Sequence, residues 1–230
     1  MTYHEDRRKL KKEMIFWKVS HLEVICKPVG PAQANCYIVL NNGHAIVIDP
    51  GDEGKELAAM LHAMNLTVDG LVLTHAHFDH IGAVDALMEE FGVNCYVNAA
   101  EYDYLQKPEK NASAAFMGVP KLSLKTVPVE LKEGLNKIGT FDITAYYAPG
   151  HSAGSTILEI GDNLFTGDVL FQDSIGRTDL AGGSVQQMKD SLNFIKSLTK
   201  DYTVYPGHGP STTLNYEKTH NPYLLYNLLG

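Results

Sequence analysis

The sequence has few cysteines, a minority of basic residues and no long apolar run. Its three cysteines, Cys26, Cys36 and Cys95, are odd in number and widely spaced, which excludes a disulfide framework and a cysteine-based zinc finger. We expect all three to be reduced core residues. No uninterrupted apolar stretch reaches the roughly 18 to 20 residues that a membrane span requires, so we expect no membrane partner.

Positive charge is outweighed by negative charge. Lys and Arg number 19 against 27 Asp and Glu, which gives a net charge of −8, and a field of this sign repels polyanions. The one basic cluster, at residues 7–12, lies near a terminus, where a solvated tail is the favoured interpretation. We therefore expect no nucleic-acid partner.

The length and composition suit one globular domain. A chain of 230 residues that is 44% hydrophobic can bury the core of one α/β domain. Residues 1–13 are dense in charge and are predicted to form a mobile tail, so that a single domain spans residues 14–230. Polar residues interrupt the apolar run that begins at residue 14, which disfavours a signal peptide and predicts a cytoplasmic protein. The sequence is compatible with a monomer or a homodimer.

Short apolar segments alternate with helical patterns along the chain. Asn41-Asn42-Gly43 between two apolar runs is a hairpin signal. Apolar residues at helical spacing predict helices over residues 55–64, 81–91 and 185–198. Strands are predicted at residues 22–26, 36–40, 45–48, 71–74, 93–97, 127–131, 141–148, 155–160, 163–166 and 202–205, while residues 101–125 are assigned only to helix and loop. Two halves that each contain sheet and helices indicate two sheets packed face to face with helices outside.

Four side chains able to bind metals lie within six residues after a predicted strand. They are His75, His77, Asp79 and His80, in the string Thr74-His75-Ala76-His77-Phe78-Asp79-His80. At this chain's own composition such a spacing arises by chance in roughly one chain in a thousand. The loop can turn alternating side chains toward one point, and the helix start brings Asp79 and His80 to a neighbouring point, which suggests two ions. Imidazole suits zinc and similar divalent ions, and a carboxylate can bridge two of them.

Three further candidate ligands each follow a predicted strand and a glycine. They are His151 after Pro149-Gly150, Asp168 after Thr166-Gly167, and His208 after Pro206-Gly207. Glycine permits the unusual turn and the close approach that such a loop requires. Each pattern alone is typical of an ordinary turn, but their joint occurrence favours a metal site.

The string His75-x-His77-x-Asp79-His80, followed in order by His151, Asp168 and His208, resembles the ligand set of the metallo-β-lactamase superfamily over about residues 36–208. The resemblance implies a four-layer αββα sandwich with two divalent metal ions at one edge. It assigns His75, His77 and His151 to the first ion and Asp79, His80 and His208 to the second, with Asp168 as the bridge. Zinc is the first choice of metal, and iron and manganese are alternatives. Asp49 is expected to orient a ligand by hydrogen bonds, with helix capping as its alternative role.

Further strings resemble the short glyoxalase II-like branch of that superfamily. They are Ala34-Asn35-Cys36-Tyr37-Ile38-Val39, Asp49-Pro50-Gly51 and Ser174-Ile175-Gly176-Arg177-Thr178-Asp179. Those enzymes hydrolyse thioesters such as S-lactoylglutathione, so the resemblance implies a small-molecule thioester as substrate. Arg177 is a candidate anchor for a substrate carboxylate, or else forms a structural ion pair with Asp179 or Asp173. The chain departs from full-length glyoxalase II, because Gly209-Pro210-Ser211-Thr212 follows His208 without the aromatic residue that would contact glutathione. We also expect no separate helical substrate-binding domain.

Several mechanisms remain open on these residues. In the hydrolase hypothesis, two metal ions lower the pKa of a bound water and polarise the substrate carbonyl. Asp79 has a second candidate role in handling a proton, although a plain ligand role is favoured. The Gly-Arg-Thr-Asp string also resembles persulfide dioxygenases with a single iron, and a lactonase or phosphodiesterase on the same fold is a third alternative. The acidic charge disfavours an RNA-processing nuclease, the expected lack of a signal peptide disfavours penicillin hydrolysis, and a full set of seven ligands disfavours a non-catalytic binding module.

Overall fold

The first half of the chain forms a six-stranded sheet in the computed structural model, which describes residues 22–226 together with 228 and 229. The strands lie across the sheet in chain order: β1 (Glu23–Val29), β2 (Ala34–Asn41), β3 (His44–Ile48), β4 (Thr67–Val72), β5 (Cys95–Val97) and β6 (Val129–Glu130). Strand β2 pairs antiparallel with β1 and β3, and the pairs from β3 to β6 are all parallel. The predicted hairpin joins β2 to β3, and both Asn42 and Gly43 have positive φ, as a type I′ turn requires.

The second half forms another six-stranded sheet. Its strands are β7 (Gly134–Ile138), β8 (Phe141–Tyr147), β9 (Thr156–Ile160), β10 (Asn163–Gly167), β13 (Thr203–Pro206) and β14 (Thr212–Thr213), in the order β14-β13-β10-β9-β8-β7. Only β10 and β13 pair in parallel. A small hairpin, β11 (Leu170–Phe171) with β12 (Ser174–Ile175), follows β10.

The two sheets pack face to face, as the alternation of side chains along their strands shows. In β2, Ile38 packs with the helices on the outer side, whereas its neighbour Val39 packs between the sheets. In β10, Phe165 lies between the sheets and Leu164 lies on the outer side. Successive strand residues point to opposite faces, so each buried strand contributes to two of three apolar layers.

Helices cover both outer faces. Those in the described chain are α1 (Gly54–Ala63), α2 (Phe78–Ile81), α3 (Val84–Phe91), α4 (Tyr102–Gln106), α5 (Val185–Ser197), α6 (Leu214–His220) and α7 (Pro222–Leu225), with a 3-10 helix at Ala99–Glu101. Leu57 of α1 and Leu87 of α3 pack on the first sheet, and Met188 and Ile195 of α5 pack on the second. The four-layer αββα sandwich expected from the sequence is therefore confirmed.

The helix predicted over residues 81–91 is confirmed as α3, but it begins three residues later, at Val84. The chain forms α2, breaks, and resumes as α3. At the break the N–H groups of Gly82 and Ala83 donate to the carbonyls of Gly51 and Pro50, which replaces the hydrogen bonds that a continuous helix would make. Contacts with a distant loop thus override the helical periodicity.

Other boundaries also differ from the sequence prediction. The strand expected at residues 71–74 ends at Val72, because the N–H of Thr74 donates to the side chain of Asp49 instead of a neighbouring strand. The strand β7 and the helices α6 and α7 were not predicted. Strands expected at residues 93–97 and 127–131 are shorter, at β5 and β6.

The prediction of three core cysteines is correct for two of them. Cys36 and Cys95 are buried, whereas Cys26 is exposed on the edge strand β1, and all three are free thiols. The predicted tail at residues 1–13 lies outside the described residues. Among the helices that the structure describes, none combines the length and the apolar character needed to cross a bilayer.

Candidate metal centre

The seven predicted ligands follow strands that end at one edge of the sandwich. The loop after β4 carries the histidine-rich string. In the second sheet β8, β10 and β13 run in the same direction, because β9 is antiparallel to both β8 and β10 while β10 is parallel to β13. The carboxyl ends of these strands lead to His151, Asp168 and His208. Ligands that are distant in sequence therefore converge where the two sheets meet.

His75, His77 and His151 form the more buried group of ligands. His77 Nδ1 lies 2.8 Å from His151 Nε2, and one ring nitrogen from each of the three lies within 4.8 Å of the other two. The exposed fractions of the three residues are 1%, 3% and 3%. Three nitrogens at this spacing suit one ion with three imidazole ligands.

Asp79, His80 and His208 form the second group. The Oδ2 atom of Asp79 lies 3.2 Å from His208 Nε2 and 3.8 Å from His80 Nε2. His80 is fully buried, whereas the side chains of His208 and Asp79 are 29% and 16% exposed. This group is therefore the side of the centre that solvent and a substrate can reach.

Asp168 lies between the two groups. Its Oδ1 atom is 3.5 Å from His80 Nε2, and its Oδ2 atom is 3.4 Å from His151 Nε2 and 3.7 Å from His208 Nε2. A carboxylate in this place reaches both groups, as the bridging ligand of a two-metal site does. The structure thus brings together all seven residues that the sequence singled out.

The cluster contains buried polar atoms that fit a divalent cation. Four of them have no hydrogen-bond partner in the described part of the chain: His75 Nε2, His77 Nε2, His80 Nε2 and Asp168 Oδ1. Buried polar atoms are otherwise almost always paired, since leaving one unpaired costs free energy. Imidazole nitrogen and carboxylate oxygen are the donors that zinc and other borderline divalent ions prefer. The residues present therefore fit such ions.

Two imidazoles of the more buried group, those of His75 and His77, are neutral. Burial, together with the neighbouring histidines, lowers the pKa of His75 well below its usual value and the pKa of His77 to about 3. A neutral imidazole has a free lone pair, which is the form that binds a metal ion. His75 and His77 are thus ready to bind without first losing a proton.

The second group carries opposite charges. Burial opposes protonation of His80, but the carboxylates of Asp79 and Asp168 prevail and raise its pKa to about 10. The pKa of His208 is also raised, against burial, mainly by Asp79. In turn His80 and His208 outweigh the burial of Asp79 and hold the pKa of its carboxyl well below its ordinary range. The ionised carboxylate of Asp79 therefore attracts a cation to this side.

Asp49 fixes the orientation of two ligands. Its Oδ2 atom accepts from His80 Nδ1 at 3.1 Å and from the hydroxyl of Thr74 at 2.6 Å. Because the Thr74 proton is committed to Asp49, Thr74 Oγ1 is left to accept from His75 Nδ1 at 3.1 Å. Both imidazoles therefore keep their Nε2 atoms for the centre of the cluster. The alternative capping role is wrong, since α1 begins at Gly54, its N-cap residue is Glu53, and no side chain caps it.

Gly207 lets the loop after β13 approach the other ligands. A Cβ atom at this position would lie 2.1 Å from Asp168 Oδ1 and 2.9 Å from His80 Cε1. These distances are far below van der Waals contact, so only glycine fits without moving a ligand. The expectation that a glycine beside a ligand permits close approach is met here.

Arg177 lies at the rim of the centre. Its side chain is paired with Asp179 through Nε to Oδ1 at 2.6 Å and Nη2 to Oδ2 at 2.7 Å. Its carbonyl oxygen accepts from His151 Nδ1 at 2.8 Å, which leaves His151 Nε2 for the cluster. Of the two ion pairs predicted for Arg177, the structure contains the one with Asp179. No ion pair between Arg177 and Asp173 is present among the described residues.

Glu101 was not predicted from the sequence, although it contacts two of the ligand loops. It is fully buried and accepts hydrogen bonds from Ala76, Ser152 and Gly154. It belongs to no motif, and its partners come from distant loops, so no signal in the sequence identifies it.

The fold agrees with known proteins. The sequence profile of the metallo-beta-lactamase superfamily matches residues 29–208, a range that contains all seven predicted ligands. A probable metallo-hydrolase, YqgX of Bacillus subtilis, is 36% identical over 86% of this chain and 95% of its own length. The hydroxyacylglutathione hydrolase GloC of Haemophilus influenzae is 32% identical over 89% of this chain and 98% of its own length.

Solved structures show the same likeness. The B3 metallo-beta-lactamase BLEG-1 superposes with a TM-score of 0.84, at 40% identity, over 89% of this chain and all of that chain. TTHA1623, solved in a di-iron-bound form, superposes with a TM-score of 0.76, at 36% identity, over 87% of this chain and all of that chain. These similarities hold over nearly complete chains.

Proposed function

Since this chain belongs to the metallo-beta-lactamase superfamily and is a metallo-hydrolase of that superfamily, we propose that it hydrolyses a small thioester of the S-lactoylglutathione type at a two-metal centre. The observation that carries the proposal is the pair of three-ligand groups with Asp168 between them. Two groups with one shared carboxylate suit two ions better than one.

The ligands would divide between the two ions as they divide in space. His75, His77 and His151 would hold one ion, Asp79, His80 and His208 the other, and Asp168 would reach both. When bound, the two cations supply a water molecule of lowered pKa and a Lewis acid for the substrate carbonyl. Zinc is our first choice, and the di-iron form of TTHA1623 supports iron as the alternative to be measured.

The chain's own residues orient the ligands and admit the substrate from one side. Asp49 and the carbonyl of Arg177 bind the outer nitrogens of His80 and His151, so the inner nitrogens face the centre. Access is from the side of His208 and Asp79, where the side chains are partly exposed. Asp79 is assigned as a ligand, because the charges beside it favour its ionised form. A carboxylate with such a low pKa is a weak base, which disfavours a role in proton transfer.

Arg177 is proposed as the anchor for a carboxylate of the substrate. Asp179 occupies Nε and Nη2 of the guanidinium, and Nη1 remains on the other side of the planar fork to bind an anion. The ion pair with Asp179 would then hold the fork at the rim. Substitution Arg177→Ala should raise KM for a glutathione thioester about tenfold or more while kcat changes less. An equal rise in KM for a thioester without a carboxylate would refute the anchor.

Hydrolysis of a β-lactam is the second candidate function. It is favoured by 40% identity to BLEG-1 over all of that chain, which exceeds the 32% identity to GloC. The two candidates share the metal centre and differ in the pocket, so the ligands alone do not choose between them. The relation to GloC and the rim arginine support the thioester as the first substrate to test.

The test is a substrate panel on the metal-loaded protein. S-lactoylglutathione hydrolysis should proceed with kcat/KM of about 10⁴ M⁻¹ s⁻¹ or more, measured as thiol release, and Asp168→Asn should abolish it. A chromogenic β-lactam, a lactone, a phosphodiester and a persulfide with an oxygen electrode cover the alternatives. Turnover of one of these in place of the thioester would refute the proposed substrate, and oxygen uptake with one iron per chain would refute the two-metal mechanism.

A further inference from the structure

Glu101 is a buried carboxylate outside the ligand set. It ends the 3-10 helix Ala99–Glu101, which begins after β5 with Asn98 as its cap. None of its surface is exposed, and burial raises the pKa of its carboxyl. A buried carboxylate is costly unless hydrogen bonds compensate it, so its partners indicate its role.

Three donors surround the two oxygens of Glu101. Its Oε2 atom accepts from the N–H of Ala76 at 3.0 Å. Its Oε1 atom accepts from the N–H of Gly154 at 2.6 Å and from the hydroxyl of Ser152 at 2.7 Å. The two N–H groups can only donate, so both oxygens of Glu101 accept a hydrogen bond from the backbone.

These donors belong to the two loops that carry one group of ligands. Ala76 lies between His75 and His77, and Ser152 follows His151 directly. Glu101 therefore connects the backbone on either side of the three imidazoles. Asp49, by contrast, contacts Thr74 and His80 and has no described contact with the loop of His151.

Close packing holds Glu101 in this place. A Cβ atom at Gly154 would lie 2.7 Å from Glu101 Cγ, so the loop after His151 approaches the carboxylate as closely as glycine allows. Ser152 also contacts Ser155 Oγ at 2.8 Å, which extends the hydrogen-bonded network within the loop.

We propose that Glu101 is a positioning residue for the metal ion held by His75, His77 and His151. Its hydrogen bonds keep two ligand loops at a fixed separation. Groups that support ligands in this way typically change metal affinity 10- to 100-fold when they are replaced. The inference rests on the proposed metal centre and is independent of the substrate.

Glu101→Gln separates this role from general stability. An amide has one acceptor oxygen and one donor nitrogen, so its NH₂ group must face either Ala76 N–H or Gly154 N–H. One of the two loops then loses the hydrogen bond from its backbone N–H group to residue 101. We expect one of the two zinc ions to bind about 10- to 100-fold more weakly, while the other keeps its affinity.

Glu217→Gln is the matched control. Glu217 is also fully buried, and its carboxylate also accepts from three donors, which are Asp173 N–H, Thr212 hydroxyl and Asn221 Nδ2. None of these belongs to the loops of His75, His77 or His151. Both variants should lose thermal stability as metal-free proteins, but only Glu101→Gln should change zinc affinity.

The measurement is a zinc titration of metal-free wild-type and variant proteins against a chromophoric chelator. Two tight ions in wild type and in Glu217→Gln, with one weakened in Glu101→Gln, support the proposal. Equal affinities in all three overturn it and leave the proposed function intact, whereas no tight ion in wild type refutes the metal centre itself. If Glu101→Gln does not fold, Ser152→Ala tests the same contact, because it removes the hydroxyl that donates to Glu101. Zinc binding that is weakened about threefold or more supports the proposal, and unchanged binding overturns it.

Discussion

Substitution of Gly207 by alanine tests the close approach on which the centre depends. The added Cβ would lie 2.1 Å from Asp168 Oδ1, whereas ordinary contact begins at 3.4 Å. Either Asp168 or the loop that carries His208 must therefore move by about 1.3 Å, the difference between these two distances. Metal–ligand distances tolerate only about 0.2 Å, so a shift of this size removes a ligand.

The expected result is a loss of both metal and activity. A displacement of about 1 Å costs on the order of 10²-fold in rate, so hydrolysis by Gly207→Ala should fall about 10²-fold or more. Zinc content should fall from two ions to about one per chain. Elemental analysis and the thioester assay measure these two quantities on the same preparation.

Gly209→Ala is the control for the backbone. Gly209 has φ of +77°, and a Cβ there would meet nothing within 4 Å. Its substitution should cost about 1 kcal/mol of stability through the left-handed conformation and leave zinc content unchanged. If Gly207→Ala keeps two ions and full activity, the close packing around Asp168 is not needed and the reasoning fails.

Three further outcomes are expected. Asp49→Asn should weaken zinc binding or activity about 10- to 100-fold, because both oxygens of Asp49 accept hydrogen bonds and the NH₂ group of an amide would have to face one set of these donors; a titration that matches wild type would contradict this role. Saturation with zinc at about 100 times Kd should stabilise the fold by about 2.7 kcal/mol for each ion, so chelation of both ions should lower Tm by about 10 to 20 °C, and an unchanged Tm would count against tight binding. Cys26 alone should be alkylated in the native protein, since Cys36 and Cys95 are buried. The Cys26 residue is exposed, but partial burial of its thiol raises the pKa. Its alkylation should therefore be slower than that of free cysteine at pH 8 and should accelerate as the pH rises. Mass spectrometry that finds two or three modified thiols would refute the selective modification of Cys26.

The ligand set could be predicted because its signals are local. His75, His77, Asp79 and His80 lie within six residues, where spacing alone separates them from chance. His151, Asp168 and His208 each follow a glycine at a strand end, and strands of the same direction bring such loops to one edge. The face-to-face sheets could be predicted because each half of the chain contains both strand and helix patterns, and the burial of successive residues in β2 agrees with it.

Features that depend on contacts between distant segments could not be predicted. Helix α2 ends where Gly82 donates to the carbonyl of Gly51, and periodicity does not register such a contact. Cys26 is exposed because β1 is the edge strand of its sheet, although its apolar neighbours suggested a core position. Glu101 receives its hydrogen bonds largely from backbone N–H groups, and backbone donors leave no trace in a sequence pattern.

The central claim is that two metal ions are held by two groups of ligands that share Asp168. Its most direct test is elemental analysis of the purified wild-type protein beside Asp168→Asn, with S-lactoylglutathione hydrolysis measured on both. We expect two divalent ions per chain and thioester cleavage in the wild type, with a loss of metal and of activity in the variant. A single ion in the wild type, or two ions and full activity retained by Asp168→Asn, would contradict the shared two-metal centre.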